Sequence, residues 1–309
     1  MARVPFNPKI GTIKTDANTS TDRGFVAHYN IPNVAAESNT SIMALMALGA
    51  NAAEIETGLT DPDVPRNVKA VASKAGITTK VTVNGVNFAG EAISEEITLN
   101  GLTAVAGSLA FMAITSIELP VRTNAPAKQK ATVAVTQGAQ AAGTTVFTFT
   151  SAATGVAYDI PVEFLAADDT TAEAAAKLAA GLNADETFAE KWLAASSDAN
   201  VTIESLTYEA QDATINLVVK TAGDSAITLG AISVATVSGV AEDKVSVGVG
   251  KKFGIPYLLV ADELVFIKLF DKSADTGTVT PDDDEIEKNV IALNGTPDGA
   301  KDIDLYIIV

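Results

Sequence analysis

His28 is the only imidazole in the chain and cysteine is absent, so the residues that could do chemistry are quickly enumerated. Serine–histidine catalysis needs an imidazole held by an orienting carboxylate. His28 sits beside Tyr29 in a stretch without periodic pattern, and it reads as an arm residue that packs or is solvated. The same counts exclude histidine-cluster metal sites, thiolate ligands, cysteine nucleophiles and disulfides. Carboxylates remain. Asp282-Asp283-Asp284-Glu285-Ile286-Glu287 concentrates oxygen ligands but lacks the spaced ligands and turn glycine of an EF-hand loop, so it reads as a solvated acidic turn. Asp61-Pro62-Asp63 reads as a stiffened loop in which Arg66 pairs with a neighbouring acid. A glycosidase needs two carboxylates across a cleft at roughly 5 to 10 Å, a spacing that 38 acidic residues leave open. Gly248-Val249-Gly250-Lys251-Lys252 lacks the spacing of a phosphate-binding loop, and no helical pattern follows it, so it reads as a turn between strands. These residues predict no catalytic site, no cofactor and no metal.

The elements that carry them are mostly strands. Hydrophobic residues make up 47% of the 309, with mean hydropathy +0.24, yet they fall in strand-length runs. The richest run, Ile42 to Ala50, is far shorter than the roughly 18 to 20 residues of a membrane helix. Prolines at positions 5 and 8 stand where a signal peptide needs an apolar core, so no cleaved export signal is expected. The formal charge of -17 and pI near 4.4 oppose binding to phosphate backbones, and no nucleic-acid or membrane partner is expected.

Residues 1–30 are rich in Pro, Gly, Thr and Asn and predict an extended N-terminal arm. Arg3, Lys9, Lys14 and Arg23 against Asp16 and Asp22 make the arm formally +2, which leaves -19 for the remainder. From Ile42 the pattern is β. Lys80 to Val83 leads to Asn84-Gly85, and Glu91 to Leu99 leads to Asn100-Gly101, which predicts a meander closed by two tight turns.

Residues 125–241 differ, being richer in Ala and Thr. Strands are expected at Thr132 to Thr136, Val146 to Thr150, Val156 to Leu165, Val201 to Leu206, Thr214 to Lys220 and Ile227 to Val234. Thr170-Thr171-Ala172-Glu173 is a capping box that opens a helix with Ala174, Leu178 and Leu182 inward. Asp185 caps a second helix in which Phe188 and Trp192 share a face, with Trp192 in the core. After residue 242 the first β texture returns and ends in the alternating run Ile303, Leu305, Ile307, Val309. The expected architecture is mainly β: a discontinuous β-sandwich of 31–124 and 242–309, interrupted by an inserted α+β domain of 125–241.

Several phrases resemble tailed-bacteriophage virion proteins encoded among head and neck structural genes. They are Thr57-Gly58-Leu59-Thr60-Asp61-Pro62-Asp63-Val64-Pro65-Arg66-Asn67, Val86-Asn87-Phe88-Ala89-Gly90-Glu91, Leu99-Asn100-Gly101, Gly254-Ile255-Pro256-Tyr257 and Asp302 to Val309. Residues 170–173 with Leu178 to Asp185 look like modules of phage tail-sheath and fibre proteins. The resemblance implies a non-enzymatic virion structural protein, foremost a capsid decoration protein. Such a protein is made in the host cytoplasm, lies on the capsid exterior, binds the major capsid protein and self-associates, with a trimer implied. The alternatives are a carbohydrate-binding or adhesive module of a head or tail fibre, and another tail or neck component. In this reading the arm anchors the chain through Arg3, Phe6, Lys9, Ile10, Lys14, Arg23, Phe25 and Tyr29.

Overall fold

The structure is a computed structural model that describes residues 13–14, 20–21, 26–155 and 157–308. The fold is mainly β. The chain divides into two compact units, 1–123 with 243–309, and 124–242.

In the first unit all described strand pairs are antiparallel. One sheet runs Ala53–Ile55, Ala113–Leu119, Lys80–Val86, Ala92–Thr98. A second runs Thr278–Thr280, Val290–Ala292, Lys244–Gly254, Arg66–Ala72, Val105–Phe111, and Met43–Ala47 also pairs with Lys244–Gly254. These two sheets share a core of Val68, Val81, Val83, Phe111, Ile117, Val245 and Val247. A third sheet, Ser273–Ala274, Val265–Phe270, Ile303–Ile308, Val26–Ile31, covers a separate core with Phe253, Ile255, Ile303, Leu305 and Ile307. The 11-residue strand Lys244–Gly254 contributes side chains to both cores, which explains why its residues are buried almost continuously instead of alternating.

Two glycine-based turns of the sequence reading are corrected here. Asn84 and Gly85 lie inside the strand Lys80–Val86, paired on both sides. A Cβ on Gly85 would collide with the Ala113 carbonyl, so this glycine permits close backbone approach at a bulge. The turn is at Asn87 to Gly90. There Gly90 has φ +78°, and the Asn87 Oδ1 accepts from Ala89 N at 2.9 Å and Glu91 N at 3.0 Å. Gly248 to Lys252 is likewise the interior of a strand, and a Cβ on Gly250 would strike the Asn67 side chain.

The arm boundary at residue 30 is corrected too. Val26–Ile31 is a strand in register with the last one, Tyr29 opposite Leu305 and Ile31 opposite Ile303. Its alternation, with Tyr29 and Ile31 inward and His28 and Asn30 outward, is short and was hidden by the polar residues around it. Before it, Ile13–Lys14 pairs with Ser20–Thr21.

The second unit packs helix α1, Thr171–Ala184, against two antiparallel sheets. One contains Trp192–Ser197, Asn200–Ser205, Lys130–Gln137 and Thr228–Leu229, with Ser233–Val237 also paired to Lys130–Gln137. The other runs Tyr158–Phe164, Gly143–Thr150, Asn216–Thr221. The capping box forms as the sequence predicts, with Glu173 N donating to Thr170 Oγ1 at 3.2 Å. Asp185 caps α2, Glu186–Ala189, through Phe188 N. That helix is one turn long. Trp192 opens the next strand, so Phe188 and Trp192 do not share a helical face; both rings instead pack edge-on against Phe149, at 5.0 and 6.2 Å. Trp192 is in the core all the same. The strand expected over 227–234 is split, because Thr228–Leu229 and Ser233–Val237 pair with the same strand in shifted registers.

Candidate functional site

Two local structures of the first unit build its most articulated cleft. The first is the turn at Asn87, whose side-chain oxygen satisfies two turn amides and leaves its Nδ2 to donate outward. The second is the acidic segment 282–288. Asp282 Oδ1 accepts from Asp284 N at 3.0 Å and Glu285 N at 2.7 Å, an Asx-type turn. Fully buried Asn289 ties this turn down. Its Nδ2 donates to the carbonyls of Asp282 (2.8 Å) and Glu285 (3.1 Å), while its Oδ1 accepts from Leu259 N and Asp282 N.

The two structures meet where Asn87 Nδ2 donates to Glu287 Oε2 at 3.0 Å and to Glu91 Oε2 at 3.2 Å. Between them lies a cleft of about 430 Å³, lined by Ala89, Ile93, Leu258 and Ile286 together with Glu91, Asp284 and Glu285. Glu287 is buried, so the acidic run is not a wholly solvated turn: its last carboxylate holds the fold. Glu285 is paired with Lys288. The carboxylates of Glu91 and Glu287 share one amide nitrogen, which brings them near the spacing of a glycosidase pair. Both oxygens are engaged by the amide that stiffens the turn, however, and no aromatic residue is among those that line the cleft. Among the described residues no group of three or more His, Cys, Asp or Glu could hold a metal ion.

A second cluster surrounds His28. Its Nε2 lies 2.8 Å from Asp304 Oδ1, and its ring stacks on Tyr306 at 4.6 Å and 16°. The same Asp304 oxygen accepts from Asn30 Nδ2 at 2.9 Å. The structure thus places His28 in a sheet and beside a carboxylate from the far end of the sequence, where the sequence reading expected an arm residue. The alternation of the strand, read at Val26 to Ile31, was the available signal. With a carboxylate and a phenol ring as its partners, His28 is a cross-strand contact on an outward sheet face.

The phrase around Arg66 forms a third cluster. Arg66 is fully buried: Nε and Nη2 donate to Gly250 O, and Nη1 donates to Ala35 O at 2.9 Å and Asp63 Oδ1 at 3.0 Å. The guanidinium also lies over the Phe253 ring at 4.6 Å. Burial lowers its pKa, and the Asp63 carboxylate opposes that shift. The expected pairing of Arg66 with an acid is therefore with Asp63. Beside it, Asn67 donates to Gly107 O at 2.8 Å and accepts from Lys252 N at 2.9 Å.

Of the expected anchoring residues, Arg3, Phe6, Lys9, Ile10, Arg23 and Phe25 lie outside the described residues, and Lys14 is described only as part of the strand Ile13–Lys14. Tyr29 belongs to the third sheet, not to an arm. Burial, with a contribution from Tyr257, pushes its hydroxyl up to about 12, and its ring packs edge-on to Phe88 at 6.3 Å. No helix among the described residues is long and apolar enough to cross a membrane. No protein-family profile, curated protein or solved structure matches the chain.

Proposed function

We propose that the chain is a non-enzymatic structural protein of a tailed-phage particle, a capsid decoration protein on the outer face of the head that contacts the major capsid protein and further copies of itself. The observation that carries this reading is how the phrases resembling virion proteins are used. Asp63, Arg66 and Asn67 join strands through buried bonds, and Asn87 ties Glu91 to Glu287. The recognisable residues are thus spent on a rigid framework, and function falls to surfaces. The net charge of -17 favours a position facing solvent over one facing packaged DNA. The residues before Val26, locally basic, supply the proposed hold on the shell.

Cosedimentation of the purified full-length chain with undecorated capsids tests the proposal. Saturable binding that weakens as salt screens the arm is expected. A chain that remains in the supernatant at every salt concentration overturns the reading, and so does turnover of a cell-surface glycan that is lost in a folded Glu91→Gln or Glu287→Gln variant.

A further inference from the structure

The edge of a sheet carries unpaired backbone groups that invite another strand, and proteins guard such edges. In the second unit three edge strands are guarded, each by a different device. Tyr158–Phe164 carries exposed Asp159, Pro161 and Glu163. On Trp192–Ser197 one side chain takes both backbone groups of Ala194: Asn183 Nδ2 donates to its carbonyl and Asn183 Oδ1 accepts from its N–H, each at 2.8 Å. On Ser233–Val237 the Val234 carbonyl accepts from Gln129 Nε2 at 2.9 Å and Gln211 Nε2 at 3.3 Å.

The edge strand Asn216–Thr221 has none of these devices. It pairs with Gly143–Thr150 alone, and no other described residue bonds to its backbone. Its one charge, Lys220, is turned back onto Asp159 of its own sheet. Leu217 and Val219 face the core, while Val218, at the middle of the strand, is 44% exposed. An apolar groove of about 310 Å³ separates this strand from Thr228–Leu229, lined by Leu217, Val218, Val219, Ile227 and Leu229. The residue order also makes the edge complementary to itself. Directly opposite residues of an antiparallel pair share a face, so a two-fold axis at Val218 sets Val218 against Val218, Leu217 against Val219 and Lys220 against Asn216. No like charges meet. The same operation at Pro161 of Tyr158–Phe164 would oppose Asp159 and Glu163. The register shift at Lys220 bends the strand there, which leaves the three central apolar pairs as the contact. On a chain of net charge -17, residues 214–222 contain no acid, so two copies can approach along this edge with little repulsion.

We propose that Asn216–Thr221 is a self-association surface, pairing antiparallel with the same strand of a second copy and joining two three-stranded sheets into one of six strands. The inference rests on the decoration reading for its self-association, to which it adds the surface and a two-fold symmetry in place of the trimer that the resemblance implies.

The full-length chain contains no cysteine, so a single introduced thiol reports one position. Under mild oxidation Val218→Cys should form disulfide-linked dimers about tenfold faster than Leu165→Cys, a comparably exposed site of the same unit, because pairing raises the local thiol concentration. Opposed residues of an antiparallel pair lie about 4.5 to 5.5 Å apart between Cα atoms, within disulfide reach. Sedimentation velocity of the parent should show association that grows with concentration. Val218→Lys, which keeps an outward side chain but sets two ammonium groups together at the axis, should abolish it. Equal dimerisation rates of the two cysteine variants overturn the pairing. A parent that stays monomeric at every concentration overturns it as well, and so does a folded Val218→Lys that associates as the parent does. Cosedimentation with capsids reads shell binding separately: a monomeric chain that still binds capsids would remove this surface and leave the proposed function standing.

Discussion

The two units solve the same problem, holding antiparallel sheets in register, with different chemistry. The discontinuous unit buries charge: Arg66, Lys69, Asp243 and Glu287 are all nearly inaccessible, together with Asn67, Asn87 and Asn289. The buried polar residues of the contiguous unit are neutral, Gln129, Thr145, Ser151, Ser205 and Ser225, and its centre is aromatic, with Phe147, Phe149, Phe164, Phe188 and Trp192. The difference follows connectivity. In the first unit the bonds of Arg66 to Gly250, Asn67 to Lys252 and Asn87 to Glu287 join residues 184, 185 and 200 positions apart. A buried charge is costly unless every partner is present, so it penalises any other pairing of such distant strands. Strands that follow one another closely need less of this insurance.

A large expected effect breaks the first half of the comparison. Arg66→Met should lower the stability of the first unit by about 2 to 4 kcal/mol, since it leaves the Gly250 and Ala35 carbonyls without their side-chain donors and removes the pair with exposed Asp63. In calorimetry the transition of the second unit should stay in place. Arg66→Lys should rescue little, because an ammonium cannot reproduce the fork that spans three partners. A shift of both transitions together would show that the units do not unfold separately.

Phe149→Ala is the mirror experiment. Phe149 contacts Tyr158, Phe188 and Trp192, and its loss should cost about 3 to 5 kcal/mol in the second unit alone. Near-ultraviolet circular dichroism, with Trp192 as the only tryptophan, reports that site directly.

A smaller effect sharpens the role of local sequence. Thr170→Ala should cost about 1 kcal/mol at pH 7 through loss of the cap of α1. The Thr170 hydroxyl, with its backbone amide, holds the Glu173 carboxyl below its ordinary value. A depressed carboxylate contributes stability above its unfolded pKa and loses that contribution as pH falls through the folded one. Urea titrations should therefore show the gap between parent and variant closing as the solution is acidified below about pH 4. A gap of unchanged size at acidic pH would argue that Glu173 takes no part.

The smallest expected effect comes from the largest change in chain length. Thr123 N donates to Asp243 Oδ2 at 2.7 Å, and Ala127 and Val240 exchange backbone bonds at 3.1 and 2.9 Å. The ends of each unit are thus side by side. Replacing residues 124–242 by a short Gly/Ser linker should leave the transition of the first unit nearly unchanged, since closing a short loop costs little. The excised 124–242 should fold with its own helical signal. Loss of the sheet spectrum in the linker variant would show a shared core.

Legibility in the sequence tracked how local each feature is. The capping box at Thr170 and Glu173, the cap at Asp185 and the alternating strand Ile303–Ile308 depend on neighbours within a few residues, and each was read directly. Asn84-Gly85 and Gly248 to Gly250 were misread because a glycine needed for a turn and a glycine needed for close approach look alike. Only the Ala113 carbonyl and the Asn67 side chain distinguish them. The cleft was invisible for the same reason. Its two halves, Asn87 with Glu91 and the segment ending in Glu287, are 200 positions apart where they bond, and an acidic run gives no hint of which carboxylate turns inward.

The amino-acid sequence by itself determined the mainly β character, the starts of the two helices at their caps, the exclusion of cysteine and histidine-cluster chemistry, and the acidic body with its basic start. These are properties of composition and of short-range periodicity, which need no partner strand. Only the tertiary structure decided that Arg66 would be buried, that His28 would meet Asp304 and Tyr306, and that Glu287 would close a cleft with Asn87. Each of those outcomes depends on which distant strands pair. That choice rests on the free energy of whole cores, to which no single stretch of sequence contributes enough to be read alone.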